Sequence, residues 1–423
     1  MTLAYSTRAA RRITWTLFAA QSLGSAALIA NATVSSIVGA ELSGQDALAG
    51  LPGMLLLLGA ASVAHPAGRL MQHVGRRWGL ALGFFIGVVG MLIGGSAINA
   101  GSFAFFLLGL LLVGGARGAI DQSRYAVAEA HPPERRARAI SIVVFAGTIG
   151  AVLGPQLVGP SSNLLGGLGF SSLAGPMWSG MLLFALAGFL LVVLLRPDPQ
   201  AIAATIAVSH PATQHSIGPA RPARVILRLP QAQLALAAMV TGQMVMLLIM
   251  GVTSLHMHHH QHGLGAVGMV LMAHTLGMYG LSIVAGPLVD RLGRPRTIAA
   301  GAVLLIAGSV VAPVSLLTAW LAAALFLVGL GWNLCYIAGS SLLADILAPA
   351  ERGSVQGTTE LIVNVAAATS SLGSGIILAR FGYDTLGMIG ATLALLPLAL
   401  LGWQRIAHTA AAAGDGRAAR QGT

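Results

Sequence analysis

The fold class this sequence predicts is an all-α membrane protein of twelve spanning helices in two six-helix halves. Three observations carry it. Apolar runs of about twenty residues, the length that crosses a bilayer, recur along a 423-residue chain that is 56% hydrophobic and 8% charged, with mean hydropathy +0.82. All 23 basic residues are arginine, and 20 of them fall on one side of the membrane once the runs are numbered. Two similar loop segments lie 218 residues apart, at equivalent points of two halves, the mark of an internal repeat.

The spans fall near 13–36, 47–67, 78–99, 102–124, 139–163 and 173–195 in the first half. In the second they fall near 231–254, 264–287, 297–314, 317–343, 355–379 and 385–404. These divide the chain into an N-terminal half (1–196), a linker (197–228), a C-terminal half (229–408) and a tail (409–423) expected to be disordered. Arg8, Arg11 and Arg12 precede helix one, and further arginines follow helices two, four, six, eight, ten and twelve, whereas the opposite loops hold only Arg380. By the positive-inside rule both termini are cytoplasmic, in a multi-pass protein of a bacterial inner membrane. The same placement explains the net charge of +11, which in a soluble chain would suggest nucleic acid. The single cysteine, Cys335, excludes an internal disulfide. No cofactor fingerprint or nucleophile constellation points to an enzyme.

In chain order, helix one carries Gln21, the kind of residue that bonds between helices. Helix four holds Arg117 and Asp121 at i, i+4, the spacing of an intrahelical ion pair. The pair either neutralises itself or supplies a carboxylate for coupling or gating. Gly150, Gly154, Pro155 and Gly159 on helix five allow close helix contact. The segment from Pro197 to Pro222 is rich in Pro, Ala, Ser and Thr, lacks an apolar face and reads as the linker.

Helices seven and eight carry the densest chemistry. Eight of the 15 methionines and six of the 12 histidines fall between Met239 and Met278. Met246 and Met250 share a face of helix seven, with Met239 and Gln243 near the same stripe, and His274 and Met278 are an i, i+4 pair on helix eight. If the two helices are adjacent, three thioethers and one imidazole meet in a common space. Soft neutral donors without a carboxylate suit Cu(I), and the Born cost of burying a monovalent ion is roughly a quarter of that for a divalent one. The bland reading is methionine as apolar filler; a histidine deep in an apolar span is the group that argues for function. The turn between the helices holds His256, His258, His259, His260 and His262. It is either a metal-collecting mouth or an exposed polar turn. Helix ten carries Asn333, Cys335 and Tyr336 at mid-span, Cys335 as a small buried residue or a further soft ligand. Helix eleven carries Glu360, a candidate proton or cation site.

The repeated segments are Gly68, Leu70, Gln72, Gly75, Arg76, Arg77 and Gly286, Leu288, Asp290, Arg291, Gly293, Arg294, Arg296. Both resemble the G-x-L-x-D-R-x-G-R-R loop of the major facilitator superfamily. Glu134-Arg135 and Glu351-Arg352, 217 residues apart, support the offset. The resemblance implies the major facilitator fold, transport by alternating access, and a charge-based cytoplasmic gate resting mainly on Asp290 and Arg291, because the first copy has Gln72 and His73 there. Helix five also resembles in part the GxxxGP motif of proton-coupled exporters.

Met246-x3-Met250 with His274-x3-Met278 further resembles the paired metal motif of the CcoA-type copper importers, a branch that supplies copper for cytochrome oxidase assembly. That resemblance implies copper as transported substrate, Met246, Met250, His274 and Met278 as its ligands, and a downstream copper-accepting partner. Related members of the branch carry riboflavin. A riboflavin or other small organic solute importer and a proton-coupled drug exporter therefore stand as alternatives.

Overall fold

In the computed structural model the described residues are 7–209, 221–281, 288–289, 291–347 and 351–421. Asp290, His210 and His215 lie outside them. Helix one is Thr7–Ser43, helix two Leu51–Val74, helix three Arg76–Asn99, helix five Pro133–Gly167 and helix six Gly175–Leu194. Helix four comes in two pieces, Phe103–Ile120 and Ser123–Glu129. In the second half, helix seven is Pro230–His259, helix nine Arg294–Val311 and helix ten Thr318–Asp345. Helix eight is Leu264–Thr275 followed by a π turn, Leu276–Gly280. Helices eleven and twelve run through Arg352–Gln421, divided at Gly382, whose φ of 79° and ψ of 176° are non-helical. The backbone is helical to Gln421, where composition predicts a disordered tail from 409. Most spans outrun their apolar windows because a helix continues past the lipid-buried turns into polar caps.

Each half has its own apolar cluster, one around Phe84, Phe106 and Phe184 and the other around Ile249, Leu305 and Leu325. Outward-facing side chains such as Phe105, Leu182 and Phe189 are exposed, a surface suited to lipid rather than water. Lipid gives no hydrophobic drive for helices to meet, so contact relies on close backbone approach. A Cβ on Gly90 would stand 2.7 Å from the Gly109 carbonyl, joining helices three and four, and one on Gly301 would stand 2.9 Å from the Gly331 carbonyl, joining nine and ten. Gly150 and Gly154 press on Ser25, Ala26 and Ala30 of helix one, so this part of the GxxxGP-like motif serves close packing.

The repeat recurs as geometry. Gly75 and Gly293 precede helices three and nine with φ of 86° and 84°. Just beyond each, Arg76 pairs with Glu129 at the end of helix four, and Arg294 Nε lies 3.1 Å from Asp345 Oδ2 at the end of helix ten. In the first copy, Asp198 also accepts from the Arg76 and Arg77 amides at 3.3 and 2.9 Å, an anion at a helix N-terminus. Arg291 is exposed.

The linker departs from expectation. Its helix Pro199–Ser209 has an apolar stripe after all, since Ile202 and Ile206 at i, i+4 bury into the N-terminal cluster. Its far end is tied to the other half where Arg221 Nε lies 2.7 Å from Glu351 Oε1, and that carboxylate holds the Arg221 guanidinium above its ordinary pKa. The Arg117 and Asp121 side chains form no ion pair among the described residues, although the Asp121 amide still bonds to the Arg117 carbonyl at 2.9 Å.

The halves meet along helix two against eleven and helix five against eight. At the histidine-rich end Ser371 Oγ donates to the Gly50 carbonyl at 2.9 Å, His258 Nε2 lies 3.3 Å from Glu41 Oε1, and His259 Nε2 lies 3.5 Å from Asp46 Oδ1. Among the described residues these two are the ion pairs that cross between halves. Asp121 and Arg124 are exposed although they belong to a spanning segment.

Gly293→Ala should cost about 1–3 kcal/mol, since that backbone region is open essentially to glycine alone. Gly75→Ala should cost more, because its Cβ would also sit 2.7 Å from Asp198 Oδ2. Thermal unfolding of the two purified variants checks the order; equal melting temperatures would contradict it.

Candidate functional site

His274 is fully buried, Met246 and Met278 are 5% and 7% exposed, and Met250 is half-buried. Met246 and Met278 join one apolar cluster. The expected adjacency of helices seven and eight is only partly met: the two touch briefly, while helix eight packs mainly on helices ten and five. The His274 ring accordingly turns to helix ten, with Nδ1 2.8 Å from the Leu325 carbonyl. That acceptor requires the proton on Nδ1, which leaves the Nε2 lone pair unpartnered in the interior.

Two glycines permit this contact. A Cβ on Gly277 would lie 2.4 Å from the Phe326 carbonyl, and one on Gly329 would lie 2.3 Å from the His274 carbonyl. Immediately after Thr275 the helix widens into its π turn, a feature that concentrates at functional sites. Within that turn the Asn333 amide donates to the Met278 carbonyl.

The π turn presents Tyr279 to a cluster centred on Trp332; sequence reasoning passed over both residues, and they join the singled-out Gln243, Tyr336 and Glu360. Trp332 on helix ten meets Tyr279 edge-on, with ring centroids 6.1 Å apart, and stacks on Tyr336 one turn along at 5.1 Å. Trp332 Nε1 donates to Gln243 Oε1 on helix seven at 2.7 Å, and the Tyr336 hydroxyl donates to Glu360 Oε1 on helix eleven at 2.6 Å. Four helices thus converge on one aromatic and polar surface. From the N-terminal half, Arg124 is within electrostatic reach of Glu360 and Tyr336, and Arg117 and Asp121 are within reach of Tyr279. Nearby in the same half, Ser123 Oγ donates to Gln21 Oε1 at 2.9 Å. The legible signal was Trp332 with Tyr336 at i, i+4 beside Asn333.

Cys335 packs against helix nine, where a Cβ on Gly301 would lie 2.8 Å from its sulfur, as a small buried residue does. In the histidine turn, His258 and His259 meet carboxylates in separate pairs, and no three His, Cys, Asp or Glu side chains among the described residues converge as a metal group.

A bundle of long apolar helices in two halves, with aromatic, polar and charged side chains gathered where the halves face each other, is the architecture of a membrane carrier. The chain belongs to the Major Facilitator Superfamily, whose family model matches residues 14–272 and 234–419; it is a transporter, not an enzyme. It is 37% identical to the uncharacterized MFS-type transporter YdeG of Bacillus subtilis (strain 168) over 93% of this chain and 92% of that one. It is 32% identical to the riboflavin transporter RfnT of Brucella anthropi over 93% of this chain and 96% of that one. Among solved structures it is similar in fold to the nucleoside transporter NupG (D323A mutant), with TM-score 0.71, 15% identity and coverage of 92% and 99%.

Asn333→Leu should destabilise the protein by about 1–3 kcal/mol, because it removes a donor from a buried carbonyl in the π turn. Thermal unfolding measures this, and an unchanged melting temperature would show that the turn does not depend on Asn333.

Proposed function

We propose that this carrier imports a planar, polar-edged organic solute of the riboflavin type across a bacterial cytoplasmic membrane by alternating access. The Tyr279–Trp332–Tyr336 cluster is the observation that carries the reading. A fused-ring solute has apolar faces that stack on such rings and heteroatom edges that need hydrogen bonds. Gln243 and Glu360 stand beside the rings to supply those bonds, and Arg124 faces them from the other half. Near full-length similarity to a riboflavin transporter supports the same solute class. The arginine asymmetry supports an orientation with the histidine-rich end outside and both termini inside.

A second reading, copper import, keeps one specific observation in its favour. The buried His274 presents an unpartnered Nε2, with Nδ1 already engaged, as metal-ligating histidines do. With Met246, Met250 and Met278 it would form a soft site for Cu(I), and protonation of Nε2 would oppose binding.

Uptake into proteoliposomes separates the two. Trp332→Ala should weaken flavin uptake through the loss of about 1–3 kcal/mol of stacking, roughly five- to a hundred-fold in affinity, whereas His274→Ala should leave flavin uptake largely intact. Copper accumulation by the wild type that His274→Ala abolishes and Trp332→Ala spares would instead establish the metal reading.

A further inference from the structure

Both ion pairs that cross between the halves among the described residues use histidine. His258 and His259 end helix seven, while Glu41 ends helix one and Asp46 opens the following turn, so each contact spans the two moving bodies. All four side chains are between 40% and 51% exposed. The same region encloses a pocket of about 260 Å³ lined by Glu41, Ser171, Ser172, His258, His262 and Leu264.

We infer that His258–Glu41 and His259–Asp46 form a pH-sensitive latch that holds the histidine-rich mouth closed in acid and releases it as pH rises. Imidazole is the side chain whose charge changes across the physiological range. With the rings protonated each pair is a cation against an anion across the mouth; with the rings neutral the attraction falls to a weak contact. Other titratable groups facing the latch do not cancel this sign. His256, His260 and His262 belong to the same helix end as the latch histidines, with His256 and His260 rings 4.6 Å apart. Asp384 faces His256, and Arg380 lies on the same half. Repulsion or attraction among these groups travels with the C-terminal half and does not push the mouth open. Glu41 and Asp46 are the acidic groups across the gap, and beside Glu41 the pocket wall is completed by the neutral Ser171 and Ser172. Closing the mouth therefore takes up protons whatever solute is carried, so the inference stands apart from the solute assignment.

The test is the distance across the mouth, read by pulsed electron spin resonance between labels at Gln45→Cys and Phe381→Cys in nanodiscs. Cys335 is fully buried and stays unlabelled. An exposed pair biases an equilibrium by up to about fivefold, so with two pairs acting together, moving from about pH 5.5 to about pH 8 should raise the open-to-closed ratio by up to about twentyfold. His258→Gln with His259→Gln should make the ratio independent of pH, and Glu41→Gln with Asp46→Asn, which leaves the histidines in place, should do the same. A wild-type ratio that does not change with pH would overturn the inference, and so would a full pH response in either double variant.

Discussion

The whole architecture depends on one requirement: inside a bilayer no water satisfies the backbone, so every amide and carbonyl must be bonded within the protein. Helices meet it, and the remaining design follows from what helices leave over. Their side chains cannot be driven together by hydrophobicity in lipid, so glycines bring backbones into contact at Gly90 with Gly109 and at Gly301 with Gly331. Where the ladder is disturbed, a side chain repairs it. The π turn after Thr275 is held by Asn333, and Trp332 bonds to Gln243, and Tyr336 to Glu360, where the two halves face each other.

That logic explains which parts of the fold were legible in the sequence. Gly293-Arg294, repeated at Gly75-Arg76, announced two halves because the positive φ before each helix needs glycine, a local demand. Arginine placement numbered the spans for the same reason. The linker stripe of Ile202 and Ile206 was hidden among alanines, and its burial depends on the half it docks to.

The site was less legible, since it is assembled from helices far apart in the chain. The pairs Met246 with Met250 and His274 with Met278 stand at helical spacing, yet spacing does not say which helix lies opposite, and His274 turned out to face Leu325 of helix ten. Trp332 was missed because a tryptophan in an apolar run reads alike whether it meets lipid, as Trp78 and Trp403 do at 53% and 61% exposure, or lines a cavity. Its partners Gln243 and Tyr279 lie 89 and 53 residues away. The halves are tied at the histidine-rich end, and the aromatic cluster faces Arg124 of the other half.

The measurement that tests this account most directly is a fluorescence titration of riboflavin with the purified protein, because stacking on Trp332 or Tyr336 should quench the flavin. The account predicts saturable quenching that Trp332→Ala weakens and that Cu(I) does not displace. Absence of saturable quenching by well-folded wild-type protein would contradict it and return the aromatic cluster to a structural role.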